Sequence, residues 1–345
     1  MKKVLVTGGA GYIGSHTLIE LLDHTHAEVI SIDNYSNSDD QSYQRIERIT
    51  GKKVIQHPID LCDVDSIKKV FSLHQEISGV IHFAAFKSVG ESVEKPLKYY
   101  HNNLNSLVNL LRVCKEYKVT NFIFSSSCSV YGNTKELPVS EDTPFCKAES
   151  PYANTKQMGE EILENFTRAN PGFKAISLRY FNPAGAHNSG LTGELPKGRP
   201  SNLVPAITQF AIGKIDELTV NGTDYSTRDG SCVRDYIHVS DLAEAHVIAL
   251  RKISETSLSS YQVINLGTGK GVSVLEAIEA FEKVSGIKLR YKIGPRRSGD
   301  VVQIYSDNRL ANKVLGWNPK RTIEEIMSTA WKWENQLREM QNEKS

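Results

Sequence analysis

A glycine-rich turn near the amino terminus limits the folds that this chain can adopt. An apolar, β-branched run ends in a segment that contains Gly8, Gly11 and Gly14, and an apolar-periodic helix pattern follows it. In such a turn Gly8 permits the sharp reversal, Gly11 lets the backbone approach a pyrophosphate, and Gly14 allows close packing of helix on strand. Unpaired N–H groups at the start of the helix then face the phosphates. The segment therefore predicts a strand–turn–helix unit that binds a dinucleotide.

An acidic residue at the end of the next apolar run narrows the choice of dinucleotide. Asp33 closes the run that begins at Val29. It lies roughly 20 residues beyond Gly14, the separation at which an acidic side chain holds a ribose 2′-hydroxyl. A carboxylate there repels a 2′-phosphate, so we expect NAD rather than NADP as the cofactor.

Strand-like and helix-like segments alternate up to about residue 180. The strand patterns cover 3–7, 28–33, 53–58, 78–83, 120–126 and 173–180, and the helix patterns cover 12–24, 39–50, 63–74, 91–117 and 152–169. This alternation predicts an α/β fold of the Rossmann type, with a doubly wound parallel sheet. We expect residues 1–180 to form the NAD-binding domain, with 235–251 returning to it. Residues 181–345, which begin with a segment rich in Gly, Pro and Asn, are expected to form mainly a smaller mixed α/β substrate lobe.

The composition argues against several classes of partner and site. A formal net charge of +1 gives no reason to expect binding to nucleic acid or to a membrane surface. We also expect no signal peptide and no membrane span, and hence a cytoplasmic protein, because no apolar stretch approaches about 18 residues. The five cysteines are odd in number and scattered, which favours free thiols. The histidines and acidic residues show no spacing that indicates a metal site.

A tyrosine and a lysine four positions apart indicate where chemistry could occur. Tyr152 and Lys156 are separated by about one helical turn, so their side chains share one face of the predicted helix. A phenol titrates near ~10, and a cation close to it favours the phenolate. We therefore expect Lys156 to supply part of a lowering of the Tyr152 pKa, and a positively charged nicotinamide ring to supply more. Such a pair is common by chance, but together with a dinucleotide turn it becomes a candidate catalytic site.

Six further segments resemble the UDP-glucose 4-epimerases, a family of the extended short-chain dehydrogenase/reductase superfamily, in that family's order and over essentially the full length. They are 81–92, 124–127, 179–183, 202–205, 233–238 and 295–300. The G-x-x-G-x-x-G spacing of the first turn is also that of the superfamily. The resemblance implies reversible, NAD-dependent C4 epimerisation of UDP-glucose and UDP-galactose through a 4-keto hexose, in galactose metabolism. It also implies a homodimer packed through helices near 91–117 and 152–169.

The same resemblance implies roles for individual residues. Tyr152 would take the proton of the 4-hydroxyl, Ser127 would hydrogen-bond the same oxygen, and Lys156 would hold the nicotinamide ribose. The residues expected around a tightly bound NAD are Gly8, Gly11, Tyr12, Ile13, Gly14, Asp33, Asn34, Asn37, Ser38, Asp60, Leu61, Phe83, Ala84, Lys87, Asn102, Ser127, Tyr152, Lys156 and Phe181. Those expected around the UDP-hexose are Lys87, Ser127, Tyr152, Asn182, Asn202, Leu203, Arg234, Arg297, Asp300 and Ile304.

A few positions leave alternatives open. Asn221 stands where the family usually carries a phenylalanine near the uracil, which makes the uridine preference less secure. Ile304, at a position that gates the sugar pocket, is intermediate in size. The alternative is therefore a bifunctional or preferential UDP-N-acetylglucosamine/UDP-N-acetylgalactosamine 4-epimerase. An epimerase that serves surface polysaccharide rather than galactose use is a further alternative. A related 4,6-dehydratase would need Asp-Glu where this chain has Cys128 and Ser129. An NAD-sensing regulatory protein typically lacks the tyrosine or the lysine, and both are present here.

Overall fold

The computed structural model describes residues 2–254, 258–297 and 301–342. Strands and helices alternate in the first part of the chain. They are β1 (Lys3–Thr7), α1 (Tyr12–His24), β2 (Glu28–Ile32), α2 (Gln41–Thr50), β3 (Ile55–His57), α3 (Val64–Leu73), β4 (Ile77–His82), α4 (Val89–Glu94), α5 (Pro96–Glu116), β5 (Asn121–Ser127), α6 (Pro151–Ala169) and β6 (Lys174–Tyr180). A short 3-10 helix, Cys128–Tyr131, follows β5 directly.

Shorter strands are interspersed with helices in the second part of the chain. They are β7 (Asn182–Ala184), α7 (Leu203–Ala211), β8 (Thr219–Asn221), β9 (Val233–Arg234), β10 (Tyr236–His238), α8 (Val239–Lys252), β11 (Tyr261–Leu266), β12 (Val272–Ser273), α9 (Val274–Ser285), β13 (Lys292–Gly294), β14 (Gln303–Ile304), α10 (Arg309–Leu315) and α11 (Ile323–Asn342).

Seven strands from the described residues form the central sheet, in the order β3-β2-β1-β4-β5-β6-β11. Each neighbouring pair is parallel. The strand order reverses direction between β1 and β4, and in open α/β sheets ligands bind outside the carboxyl ends of the strands at such a point. The predicted Rossmann-type, doubly wound parallel sheet is confirmed.

Alternate residues of the first strand face opposite sides of the sheet and enter different cores. Val4 and Val6 pack in a core that includes Leu18 of α1 and Leu250 of α8, whereas Leu5 packs in the core on the other face. Helix α8, from the segment expected to return to the first domain, thus shares a core with α1. The division into domains at residue 180 stays a prediction.

Two features of the fold differ from the sequence-based expectations. The helix expected over 91–117 is interrupted at Lys95, whose φ of −130° and ψ of 58° are not helical. The cause is Pro96, since a residue before proline is disfavoured in the helical region, and the proline then starts α5. Strand β11 was not predicted, and it extends the sheet beside β6.

Smaller sheets and three helices make up much of the second part of the chain. Strand β10 pairs with β7, β9 lies between β12 and β14, and β13 pairs with β8. Helices α7, α9 and α11 bury a separate cluster that includes Ile207, Phe281 and Met327. Across the parts of the chain that the structure covers, no helix is both long and apolar enough to cross a membrane. The five cysteines are free, as expected.

Candidate active site

The glycine turn joins β1, α1 and the loop after β4 at distances that exclude larger side chains. Gly8 has a φ of +73°, and a methyl group added there would lie 2.8 Å from the backbone nitrogen of Ala84. A methyl group added at Gly14 would lie only 2.1 Å from the carbonyl oxygen of Gly8. The glycines therefore permit the close approach of helix and strand that the sequence predicts.

The first turn of α1 presents its backbone to the carboxyl edge of the sheet. Among the described residues, no side chain caps this helix at Gly11, whereas Ser150 caps α6 and Ser273 caps α9. A methyl group at Gly11 would meet the oxygen of Gly8 at 3.2 Å, so the turn is tight on its inner side. An uncapped helix amino terminus offers N–H groups and a positive dipole end to an anion. These features fit the pyrophosphate of NAD.

Asp33 lies beside this turn, at the end of β2. One carboxylate oxygen accepts a hydrogen bond from the backbone nitrogen of Ala10 at 3.0 Å. The other accepts from the backbone nitrogen of Tyr35 at 2.9 Å and from the Ser38 hydroxyl at 2.8 Å. The carboxylate is thus fixed between the glycine turn and the following loop, where it can meet a ribose hydroxyl.

The other residues expected around NAD lie along the same edge with different degrees of burial. Asn34 donates to Asp60 at 2.9 Å, which joins the loops after β2 and β3. The Tyr12 hydroxyl donates to the carbonyl of Gly185 at 2.7 Å, and Asn102 donates to the Asn103 amide at 3.0 Å. Leu61 and Phe181 are buried; Ile13, Phe83, Ala84 and Asn102 are partly buried; and Asn34, Asn37 and Lys87 are exposed.

Ser127, Tyr152 and Lys156 come together at the end of β5 and the start of α6. Ser127 is the last residue of β5, and Tyr152 follows Pro151 in the first turn of α6. Ser127 lies beside Tyr152 and interacts with its phenol. The Lys156 ammonium lies 5.9 Å from the centre of the Tyr152 ring and donates to the carbonyl of Ser125 at 2.6 Å. The structure therefore joins the three predicted catalytic side chains in one cluster.

The charges of this cluster differ from the expectation. Burial raises the pKa of Tyr152 above its ordinary value, and the nearby Ser127 hydroxyl only partly opposes the rise. Burial also lowers the pKa of Lys156 to about 8, against the attraction of Glu160. Lys156 alone therefore does not lower the pKa of Tyr152 as expected, because the loss of solvation outweighs the favourable contacts of the phenolate.

A buried ion pair between Glu160 and Arg179 lies next to Lys156 of this cluster, and it was not predicted from the sequence. Glu160 lies one turn beyond Lys156 on α6 and receives three hydrogen bonds from Arg179 of β6, the shortest at 2.6 Å. Both residues are 4% exposed, and Ser126 also donates to Glu160. The spacing of Tyr152, Lys156 and Glu160 along one helix face was the available signal.

The residues expected around the UDP-hexose lie on the smaller strands and on α7. Arg234 of β9 pairs in register with Ile304 of β14, and Ile304 is buried. Asn182 begins β7, Asn202 and Leu203 stand at the start of α7, and Arg297 is exposed. Asp300 lies outside the described residues. Asn221, the departure noted in the sequence, is exposed at the end of β8.

A glutamate that the sequence analysis did not predict joins two of the predicted residues. One oxygen of Glu194 accepts from the Lys87 ammonium at 3.2 Å and from the Asn202 amide at 2.7 Å. Burial raises the pKa of Tyr12, and the charge of Glu194 adds to the rise. The sequence offered no local signal, because Glu194 is 107 residues from Lys87.

Cys128, Ser129 and His82, which lie near this cluster, do not form a second acid–base pair. Cys128 and Ser129 occupy the 3-10 helix after Ser127, and neither is a carboxylate. His82 is buried, hydrogen-bonds the Thr7 hydroxyl at 2.7 Å, and has a pKa lowered to about 3 by burial. Within the residues that the structure covers, no group of three or more His, Cys, Asp or Glu could hold a metal ion.

Comparison with known proteins places these features in a family. The family model described as GDP-mannose 4,6 dehydratase matches residues 5–330. The chain is 49% identical to a UDP-glucose 4-epimerase of Erwinia amylovora, over 96% of this chain and 98% of that one.

Two solved structures are similar over nearly the full length. One is a UDP-glucose 4-epimerase from Bifidobacterium longum in complex with NAD+ and UDP, with a TM-score of 0.93, 47% identity, and coverage of 97% of this chain and 98% of that one. The other is a UDP-glucose-4-epimerase from Stenotrophomonas maltophila with bound NAD and formylated UDP-arabinopyranose. Its TM-score is 0.95 at 42% identity, with coverage of 99% of this chain and 100% of that one. The chain therefore belongs to the UDP-glucose 4-epimerase family.

Proposed function

We propose that this protein interconverts UDP-galactose and UDP-glucose by reversible, NAD-dependent inversion at C4 through a 4-keto hexose, in galactose metabolism. The observation that carries the proposal is the cluster of Ser127, Tyr152 and Lys156 beside the dinucleotide turn. Strands β1 and β5 are parallel members of one sheet, so the turn after β1 and Ser127 lie at the same edge. Family membership supports the same reaction.

Each residue of the cluster has a distinct task. Tyr152 accepts the proton of the 4-hydroxyl, and Ser127 hydrogen-bonds the same oxygen so that the proton leaves along a fixed path. Lys156 holds the nicotinamide ribose and places a positive charge near the phenol. NAD, when bound, supplies the acceptor and then the donor of the hydride at C4. The proton and the hydride both return to the sugar, so the cofactor stays with the protein.

The substrate is held mainly through its diphosphate and its sugar hydroxyls. Arg234 and Arg297 suit the diphosphate, because a guanidinium stays charged and can bind two oxygens at once. Asn182 and Asn202 supply amide donors and acceptors for hydroxyl and carbonyl groups. Asp300 remains part of this set by resemblance alone.

Simple hexoses are the favoured substrates. Ile304 lies in a buried cluster with Phe181, Val130, Tyr131 and Val139. The N-acetylated sugars are not favoured, because relatives at 46–49% identity are named UDP-glucose 4-epimerases. Dehydration is disfavoured by Cys128, which stands where that reaction needs a carboxylic acid.

We propose further that the protein acts as a homodimer in the cytoplasm. Val93 of α4 and Leu97 of α5 are 61% and 80% exposed, and Met158 of α6 is 37% exposed. Large exposed apolar side chains on adjoining helices are typical of an interface between subunits. Free cysteines are usual in a reducing compartment.

Light scattering on wild type and on Leu97→Glu tests the dimer, which should dissociate in the variant. A monomeric wild type would refute this part of the proposal.

A product assay tests the reaction. The purified protein, without added NAD, is incubated with UDP-galactose, and the products are identified by NMR. UDP-glucose should form until equilibrium is reached, and Tyr152→Phe should form it at least about 100-fold more slowly. If UDP-galactose is unchanged even after NAD is supplied, the proposed function is wrong.

A further inference from the structure

Glu194 connects two loops that otherwise belong to different parts of the site. Lys87 lies in the segment between β4 and α4, and Asn202 precedes α7. A single carboxylate oxygen, Oε1, accepts from both side chains, at 3.2 Å from Lys87 and 2.7 Å from Asn202. The Glu194 side chain is 12% exposed, whereas that of Lys87 is 51% exposed. The glutamate is thus the fixed member of the pair.

The backbone around Glu194 is held by α11. Trp333 of α11 is 3% exposed, and its indole N–H donates to the Glu194 carbonyl at 2.9 Å. A methyl group added at the preceding Gly193 would lie 2.5 Å from the Trp333 ring. The carboxylate therefore projects from a position that the surrounding packing determines.

The amide of Asn202 is oriented by this contact. Asparagine at the residue before a helix usually accepts a hydrogen bond from the first helical turn. Asn202 makes no such side-chain bond within the described residues, and its Nδ2 instead donates to Glu194. Its Oδ1 accepts no hydrogen bond among the described residues and so is available to a ligand. The Lys87 ammonium has three donors and uses one on Glu194, which leaves others for a ligand.

We propose that Glu194 is a positioning residue, which orients Lys87 and Asn202 together and so links the NAD side of the site to the UDP-hexose side. The inference rests on the proposed function and on the family resemblance, which implies Lys87 at both ligands and Asn202 at the UDP-hexose. Proton transfer is assigned to Ser127 of β5 and Tyr152 of α6, which do not depend on Glu194 for their position. Loss of Glu194 therefore changes KM for UDP-galactose and the retention of NAD more than it changes kcat.

Two substitutions separate the charge from the hydrogen bond. Glu194→Ala removes both contacts and should raise KM for UDP-galactose about tenfold, with kcat changed by less than about threefold. Glu194→Gln keeps a neutral acceptor for Asn202 but no charge for Lys87. It should restore KM to within about threefold of wild type, while NAD is still lost more readily on gel filtration.

Glu282→Ala is the matched control. Glu282 has a side-chain exposure of 14%, close to that of Glu194, and it also accepts from a lysine, Lys288, and from one further N–H group, that of Leu289. The control should keep wild-type KM and NAD content. Adding Asn202→Ala to Glu194→Ala should raise KM no further than Asn202→Ala alone, because the two residues act as one unit.

Three outcomes would overturn the inference: wild-type KM and NAD content in Glu194→Ala, an equal loss in Glu282→Ala, or additive effects of the Glu194 and Asn202 substitutions. A wild-type protein that does not convert UDP-galactose would instead refute the proposed function. In that case the inference about Glu194 can still be tested by NAD retention, which requires no turnover. If Glu194→Ala retained as much NAD as wild type, the positioning role would be wrong.

Discussion

Replacing Gly14 by alanine is the sharpest single test of the dinucleotide turn. The added methyl group would lie 2.1 Å from the Gly8 carbonyl oxygen and 2.9 Å from two further backbone atoms, the Gly8 carbonyl carbon and the Gly9 Cα. Since ordinary van der Waals contact begins at 3.4 Å, the Gly8 oxygen would have to move by about 1.3 Å. Backbone atoms cannot rotate away as a flexible side chain can, so the whole turn must shift.

The size of the effect follows from what that shift breaks. Overpacking in a well-packed region typically costs about 1–3 kcal/mol. The Gly8 oxygen also accepts the backbone N–H of Gly11 at 3.1 Å, and loss of that bond adds about 1 kcal/mol. We therefore expect Gly14→Ala to lower the free energy of unfolding by about 2–4 kcal/mol. NAD content should fall with it, because the displaced turn is the proposed pyrophosphate site.

Urea unfolding and the absorbance of NAD released from purified protein measure the two effects. Gly90→Ala is the control, since Gly90 also lies in the first turn of a helix but has no atom within 4 Å of an added methyl group. Alanine there should be neutral or stabilising by up to about 1 kcal/mol. Equal stability and NAD content in Gly14→Ala and wild type would refute the reasoning about the turn.

Three further substitutions test the site. Tyr152→Phe should keep its fold and its NAD but lose at least about 100-fold in kcat, since only the proton acceptor is removed; near-normal turnover would remove Tyr152 from the mechanism. Asp33→Ala should bind NAD at least about tenfold more weakly by fluorescence titration, and unchanged affinity would show that the ribose assignment is wrong. For Lys156, whose pKa is lowered to about 8, the folded protein binds fewer protons than the unfolded chain between pH 8 and about 10.5. The stability of wild type relative to Lys156→Met should therefore rise over that interval, by up to about 3 kcal/mol. A difference that does not change with pH in urea unfolding would contradict the buried ammonium.

The features predicted from sequence are those that short segments encode. The glycine turn and its partner Asp33 depend on spacing along the chain, and the structure joins them through the hydrogen bond from Ala10 to Asp33. The pairing of Tyr152 with Lys156 depends on one helical turn. Local spacing was therefore enough to predict that Asp33 lies at the glycine turn and that Tyr152 lies near Lys156.

The features that were missed depend on contacts between distant segments. Glu194 contacts Lys87 only through the tertiary fold, because the two residues are 107 positions apart. Strand β11 pairs with β6 although many residues separate the two strands in sequence. The effect of Lys156 on the Tyr152 pKa was also overestimated, because that pKa depends on how deeply the phenol is buried. Residue spacing predicts which groups lie near one another, but it does not predict how deeply they are buried and therefore how their pKa values shift.

The fate of the hydrogen at C4 tests the central claim most directly. UDP-galactose carrying deuterium at C4 is converted in ordinary water by the purified protein, and the product is examined by NMR. If inversion proceeds by removal and return of a hydride within one closed site, UDP-glucose should keep the deuterium at C4. Deuterium lost to water, or found at another carbon, would contradict the proposed reaction.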